Sequence, residues 1–189
     1  MLAKQAARKA QWHHHVNHVQ APKAMRHWLT DAGSLTAKLI THSSKFRVQR
    51  VYQQHDFCWA DEYTEIGLSK ASKVHAREVL LRCDDAPAIY AHTVLPLSST
   101  ASQWPLFKAL GEKSLGSTLF GDPQVVRGAL QFARLQPNHP AMRRAQLLTN
   151  KKFDQPLFAR RSLFFRRGGV MLVTELFLPA IADLTTHIK

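Results

Sequence analysis

Two ionisable side chains stand in stretches that otherwise read as buried strand. Glu175 lies within Val170-Met171-Leu172-Val173-Thr174-Glu175-Leu176-Phe177-Leu178, the most apolar part of the chain. Period-two alternation puts it on a face with Val173 and Phe177, while Leu172, Thr174 and Leu176 share the other, so both faces read as covered. A carboxylate is costly to bury unless partnered, and burial raises its pKa. Such a group is either a structural partner for one of the chain's many arginines or an acid–base group in an active site, and alternation leaves both readings open. Arg77 heads a strand that continues through Val79 and Leu81 on its own face. Pointing inward it is a bidentate receptor for a carboxylate; pointing outward it is an ordinary strand-edge arginine. Leu115-Gly116 is a weaker signal. Glycine lets the backbone approach closely, so amides at that point could meet an anion.

Other chemistries find little support. Cys58 and Cys83 have no CxxC spacing and no nearby His base, which argues against a zinc site or a thiol nucleophile and for two buried free thiols of a cytoplasmic protein. GxSxG, Walker and GxGxxG patterns do not occur, and nothing signals a nucleotide, flavin or metal cofactor. No apolar run is long enough to span a bilayer, and the N-terminus carries no secretory pattern.

The elements that must position Arg77 and Glu175 follow from periodicity. Residues 22–42 read as helix, interrupted at Asp31-Ala32-Gly33-Ser34, where Ser34 can cap a second helix. Strands are expected at 46–52, 76–83 and 88–95, the last two joined by a turn at Asp84-Asp85-Ala86-Pro87. A short helix is expected at 104–110, and Asp122-Pro123 suggests the start of another over 124–135. Residues 162–178 form a hairpin about Gly168-Gly169. Helices and antiparallel hairpins without βαβ alternation mean an α+β fold, one antiparallel sheet covered by helices. Residues 21–189 read as a single domain, and residues 1–20, with the run His13-His14-His15-Val16-Asn17-His18, as a basic arm without fixed structure.

Charge narrows the class of partner. Lysine and arginine number 26 against 13 acids, a net +13. The excess is confined to residues 1–50 and 143–167, the latter holding Arg143-Arg144, Lys151-Lys152, Arg160-Arg161 and Arg166-Arg167. These doublets, with phenylalanines between them, suit nucleic acid by composition but equally suit a strand with one solvated face. No recognisable nucleic-acid-binding motif accompanies them, so no specific nucleic-acid partner is expected; weak attraction to an anionic membrane is compatible with the charge.

Taken together, these segments resemble the chorismate lyase family. The resemblance is carried by Trp28-Leu29 with Ser34-Leu35-Thr36, Arg77-Glu78-Val79-Leu80-Leu81, Thr93-Val94-Leu95-Pro96 and Leu110-Gly111 with Leu115-Gly116. Leu119-Phe120, Arg160-Arg161-Ser162 and Thr174-Glu175-Leu176-Phe177-Leu178-Pro179-Ala180 complete it over roughly residues 25–182, the last block being the most specific. It implies a cofactor-independent, cytoplasmic enzyme, expected to be a monomer, that eliminates pyruvate from chorismate to give 4-hydroxybenzoate for ubiquinone synthesis. By the same resemblance Arg77 is the carboxylate-binding and Glu175 the catalytic position. Leu35 and the Leu115-Gly116 backbone contact ligand, and His92 stands where an arginine is common, implying a weaker, pH-dependent anion contact. Ser114 and Ala88 also depart from the family's usual proline and aromatic. The competing reading is a non-catalytic, ligand-sensing domain of the same architecture, binding a small aromatic carboxylate. Such domains usually follow a winged-helix module, for which the arm preceding residue 21 leaves no room.

Overall fold

Alternating apolar residues build most of the chain into one antiparallel sheet. The computed structural model describes residues 9–99 and 101–184. Its strands are β1 (Phe46–Phe57), β2 (Lys73–Cys83), β3 (Ala86–Pro96), β4 (Val126–Arg127), β5 (Gln131–Leu135), β6 (Leu157–Arg166) and β7 (Gly169–Phe177). They pair in the order β1-β2-β3-β7-β6-β4, with β5 also on β6, and all are antiparallel to their neighbours. Helices α1 (Lys23–Leu29), α2 (Leu35–Thr41), α3 (Leu115–Gly121), α4 (Pro140–Thr149) and α5 (Ile181–Leu184) complete the expected α+β architecture. Two hairpins turn on left-handed pairs, Asp84-Asp85 (φ 49° and 66°) and Arg167-Gly168 (φ 48° and 76°), the geometry that matches strand twist. Ser34 caps α2 as its position suggests, accepting from the Ala37 amide at 3.3 Å.

Strand register divides the side chains between two faces. One row runs Arg77, Thr93, Val173, Ser162 across β2, β3, β7 and β6; the next runs Val79, Ala91, Glu175, Arg160. The buried apolar residues of α1 and α2 pack with Val79, Leu81 and Phe177 on this face. On the other face Leu80, Tyr90, Ala159 and Leu176 pack with Ala141, Met142 and Ala145 of α4. Period-two alternation thus assigns Arg77 and Glu175 to one layer and their neighbours Glu78 and Thr174 to the opposite one.

Several expectations are corrected. Residues 124–135 are not a helix but β4 and β5. Asp122 turns the chain locally, its side chain accepting from the Gln124 amide and its carbonyl from Val125, and the following segment pairs with β6 instead. Inter-strand hydrogen bonds along β6 outweigh a weak local helix signal. A helix that periodicity did not mark, α4, starts at Pro140 with His139 as its cap. Residues 104–110 form successive turns, with amides bonded three residues back, rather than a regular helix. The arm is ordered from residue 9: His13 bridges Phe132 by two backbone hydrogen bonds, and Val16 and Val19 are buried. Apolar burial by Val16 and Val19, beside the histidine run, fastens a segment that composition alone marked as unstructured. Residues 1–8 of that arm, and residues 185–189, lie outside the described residues. Cys58 and Cys83 are buried free thiols, as expected.

Candidate active site

The face beneath α2 and α3 holds a partly open pocket with a mixed apolar and charged lining. Arg77, Glu175, Leu35, Leu115 and Gly116 all line it, so five of the six residues singled out in the sequence come together. The helices approach closely over the cavity. A Cβ on Gly116 would meet Thr36 Oγ1 at 2.9 Å, and Thr36 Oγ1 lies 2.5 Å from Ser114 Oγ. Gly116 therefore serves the packing of α3 against α2, a different use of the missing side chain from the one its sequence context suggested.

Arg77 is 2% exposed and makes no ion pair among the described residues. Its Nη2 donates to the carbonyls of Gly111 (3.2 Å) and Lys113 (2.9 Å), which ties the segment before α3 to the sheet, while its Nε has no hydrogen-bond partner. Burial, with the Arg50 charge adding to it, pushes the guanidinium down to about 10, which leaves it protonated at neutral pH. Buried charges are normally paired. An unpaired one at a cavity wall is a receptor awaiting an anion.

Glu175 sits across the cavity and does have a partner. Its Oε2 accepts from Arg160 Nε at 2.6 Å, and Arg160, 1% exposed, also donates through Nη1 to the carbonyls of Trp28, Leu29 and Asp31. Arg160 fixes the carboxylate and at the same time fastens the end of α1 over the site. With 16% of its side chain accessible, Glu175 keeps its other oxygen available to a ligand. Arg127 completes the charged lining, donating from Nε to Ser162 Oγ at 2.9 Å and from Nη1 to the Ala32 carbonyl at 3.0 Å. Three guanidiniums face one carboxylate, so the cavity is built for an anion, and one with two negative charges would balance it.

Arg160 and Arg127 were not legible as site residues, for different reasons. Arg160 was hidden in a basic doublet, although counting outward from the Arg167-Gly168 turn pairs it with Glu175. For Arg127 there was no signal, because its segment read as helix.

His92 is corrected. Its neighbours Ala91 and Thr93 line the cavity, but His92 does not and points to the opposite face of the sheet. There it is 1% exposed, stacked on Trp59 (centroids 3.8 Å apart, planes at 11°), with Glu62 Oε1 3.4 Å from Nε2 and Glu78 Oε1 3.7 Å from Nδ1. Glu78 in turn takes three hydrogen bonds from Arg144. Burial alone would push the imidazole down, but Glu62, then Glu78 and Asp56, outweigh it and hold the group above its ordinary value. A histidine whose folded pKa exceeds the unfolded one contributes stability below about pH 6.5, and that contribution disappears as pH rises through the folded pKa. The stability difference between the wild type and His92→Gln, measured by urea unfolding, is therefore expected to shrink as pH is raised from 6 upward. A difference independent of pH would mean that folding leaves the His92 pKa unshifted, and one that grows with pH would mean that burial keeps the imidazole neutral in the folded protein.

The chain is similar to several proteins already known. The chorismate lyase family profile matches residues 6–186. A probable chorismate pyruvate-lyase of Cupriavidus metallidurans is 43% identical over 95% of this chain and 83% of that protein. One from Ralstonia nicotianae is 46% identical over 82% of this chain and 81% of its own length. Among solved structures, the effector domain of PhnF from Mycobacterium smegmatis superposes with a TM-score of 0.53 at 15% identity, covering 78% of this chain and 89% of that one. A GntR-family transcriptional regulator from Bacillus cereus superposes at 0.51 with 13% identity, over 72% and 93%. These last two likenesses establish a shared fold. Sequence identity over nearly the whole chain does more, and it agrees with an anion-receptive cavity holding Arg77 and Glu175: the chain belongs to the chorismate lyase family.

Proposed function

We propose that the cavity binds chorismate and converts it to 4-hydroxybenzoate and pyruvate without a cofactor, in the cytoplasm, as the step that supplies the aromatic ring for ubiquinone. The observation that carries this reading is the buried, unpaired Arg77 guanidinium facing the same cavity as Glu175. Chorismate is a dianion whose ring becomes aromatic when the enolpyruvyl ether leaves, so much of the driving force resides in the substrate. The protein's part is orientation and electrostatics. Arg77 holds the ring carboxylate through its free Nε edge, with the Leu115-Gly116 backbone and Leu35 closing over the ring. Glu175, oriented by Arg160, accepts a hydrogen bond from the ring hydroxyl and handles the proton that leaves the ring carbon as the ether C–O bond breaks; the departing enol takes up a proton and becomes pyruvate.

Kinship in fold with effector domains of regulators does not favour a purely sensory role, because at 15% and 13% identity those likenesses speak to the fold alone. Incubating the purified protein with chorismate, without metal or nucleotide, is expected to yield 4-hydroxybenzoate and pyruvate in equal amounts. Stoichiometric binding without turnover would replace the enzyme by a sensor.

A further inference from the structure

Two guanidiniums in the cavity lack a carboxylate partner, and the proposed substrate carries two carboxylates. Arg77 is the first. Arg127 is the second: among the described residues no carboxylate lies within ion-pair distance of it, and its Nη2 makes no hydrogen bond. It is otherwise held firmly. Ser162 Oγ takes its Nε, the carbonyls of Ala32 and Gly33 take Nη1, and the rings of Phe120 and Phe164 lie 5.6 and 5.5 Å from the guanidinium carbon. A guanidinium fixed through Nε and Nη1, flanked by aromatic rings and with Nη2 free is positioned to donate a charge-assisted hydrogen bond to a carboxylate. Its surroundings also favour an incoming anion: burial and the nearby Arg160 charge both push Arg127 down, an unfavourable balance that a second carboxylate would relieve.

Placement gives the two arginines different jobs. Arg77 stands on β2 and Arg127 on β4, four strands away, while Glu175 on β7 lies between them. Resting on the reading of the cavity as a chorismate site, we infer that Arg127 binds the carboxylate of the enolpyruvyl side chain, so that Arg77 and Arg127 hold the two ends of the dianion and Glu175 works between them at the ether linkage. Product selectivity follows from this arrangement. 4-Hydroxybenzoate keeps only the ring carboxylate, so once pyruvate has departed Arg127 has no ligand.

That asymmetry supplies the test. Arg127→Gln, which keeps the length and some donors, is expected to raise KM for chorismate about 10- to 100-fold, the effect of losing one or two charge-assisted hydrogen bonds. Its dissociation constant for 4-hydroxybenzoate, measured by calorimetry, should stay within about twofold of wild type. Arg127→Lys should recover part of the loss in KM, and it serves as the measurable variant if Arg127→Gln does not fold. An unchanged KM overturns the assignment, and so does an equal weakening of substrate and product, which would reduce Arg127 to a strut between β6 and the α1–α2 connection. A wild-type protein that does not turn over chorismate is a separate result, which strikes the reading of the cavity itself.

Discussion

Arg77→Ala is expected to lower kcat/KM for chorismate about 10³-fold, with KM raised and kcat depressed together. The size follows from burial. The ring carboxylate would reach the buried position of Arg77 and find its counter-charge gone, and removing one partner of a buried pair costs about 3–5 kcal/mol, with each 1.36 kcal/mol worth about tenfold in rate. Other cations cannot easily substitute, since Arg160 is committed to Glu175 and to three carbonyls of the α1 end. The fall in kcat has a second cause. Arg77 Nη2 anchors the Gly111 and Lys113 carbonyls, so the variant also loosens the segment that leads into α3 and its contact at Leu115. Steady-state kinetics reads both effects, and wild-type constants would remove Arg77 from the site. Arg77→Met distinguishes function from folding. In the ligand-free protein the unpaired charge opposes folding, so this variant should melt at the same or a higher temperature while losing chorismate turnover, the trade expected where a site carries charge for its ligand.

For Glu175→Gln the expected result is a fall in kcat of about 10²- to 10⁴-fold, the usual contribution of a positioned acid–base group. KM and the affinity for 4-hydroxybenzoate should change by only a few fold. The amide has the same shape, and its carbonyl oxygen still accepts from Arg160 Nε, so the guanidinium retains a partner and the sheet register is undisturbed. What the substitution removes is the negative charge and the capacity to exchange a proton with the ring hydroxyl or ring carbon. An undiminished kcat would refute a chemical role for Glu175 and leave it as the structural partner of Arg160. A fall in kcat with normal product binding separates the two readings that the sequence left open, because a merely structural carboxylate would affect binding and melting temperature first.

Local patterns carried much of the fold. One left-handed hairpin turn falls at Asp84-Asp85, within the turn that the residue types marked, the other at Arg167-Gly168, one residue before the glycine pair, and the break between α1 and α2 occurs before Ser34. Strand alternation placed Arg77 and Glu175 on covered faces. Patterns failed where tertiary pairing decided. Residues 124–135 have a helix-start signal, but β6 offers an open edge to pair with, and only the folded sheet makes that edge available. His92 illustrates a subtler limit. Its place beside Thr93 was legible, but reading it as a ligand contact overlooked that adjacent strand residues point to opposite faces.

The large positive charge shows the same division. Composition determined that the protein carries +13. The spacing of apolar residues, with the glycine and aspartate turns, determined an antiparallel sheet, because alternation and turn stereochemistry are local properties. Whether each basic doublet was a surface patch or part of the interior was left to the tertiary structure. Arg160 and Arg161 are both buried, on opposite faces, one paired with Glu175 and the other with Glu65. Arg144 is spent on Glu78 and Arg166 on Asp122. Only the juxtaposition of distant strands separates the cations that carboxylates neutralise from Arg77 and Arg127, which face the cavity unpaired. Electrostatic pairing depends on distance in space, and no spacing along the chain encodes it.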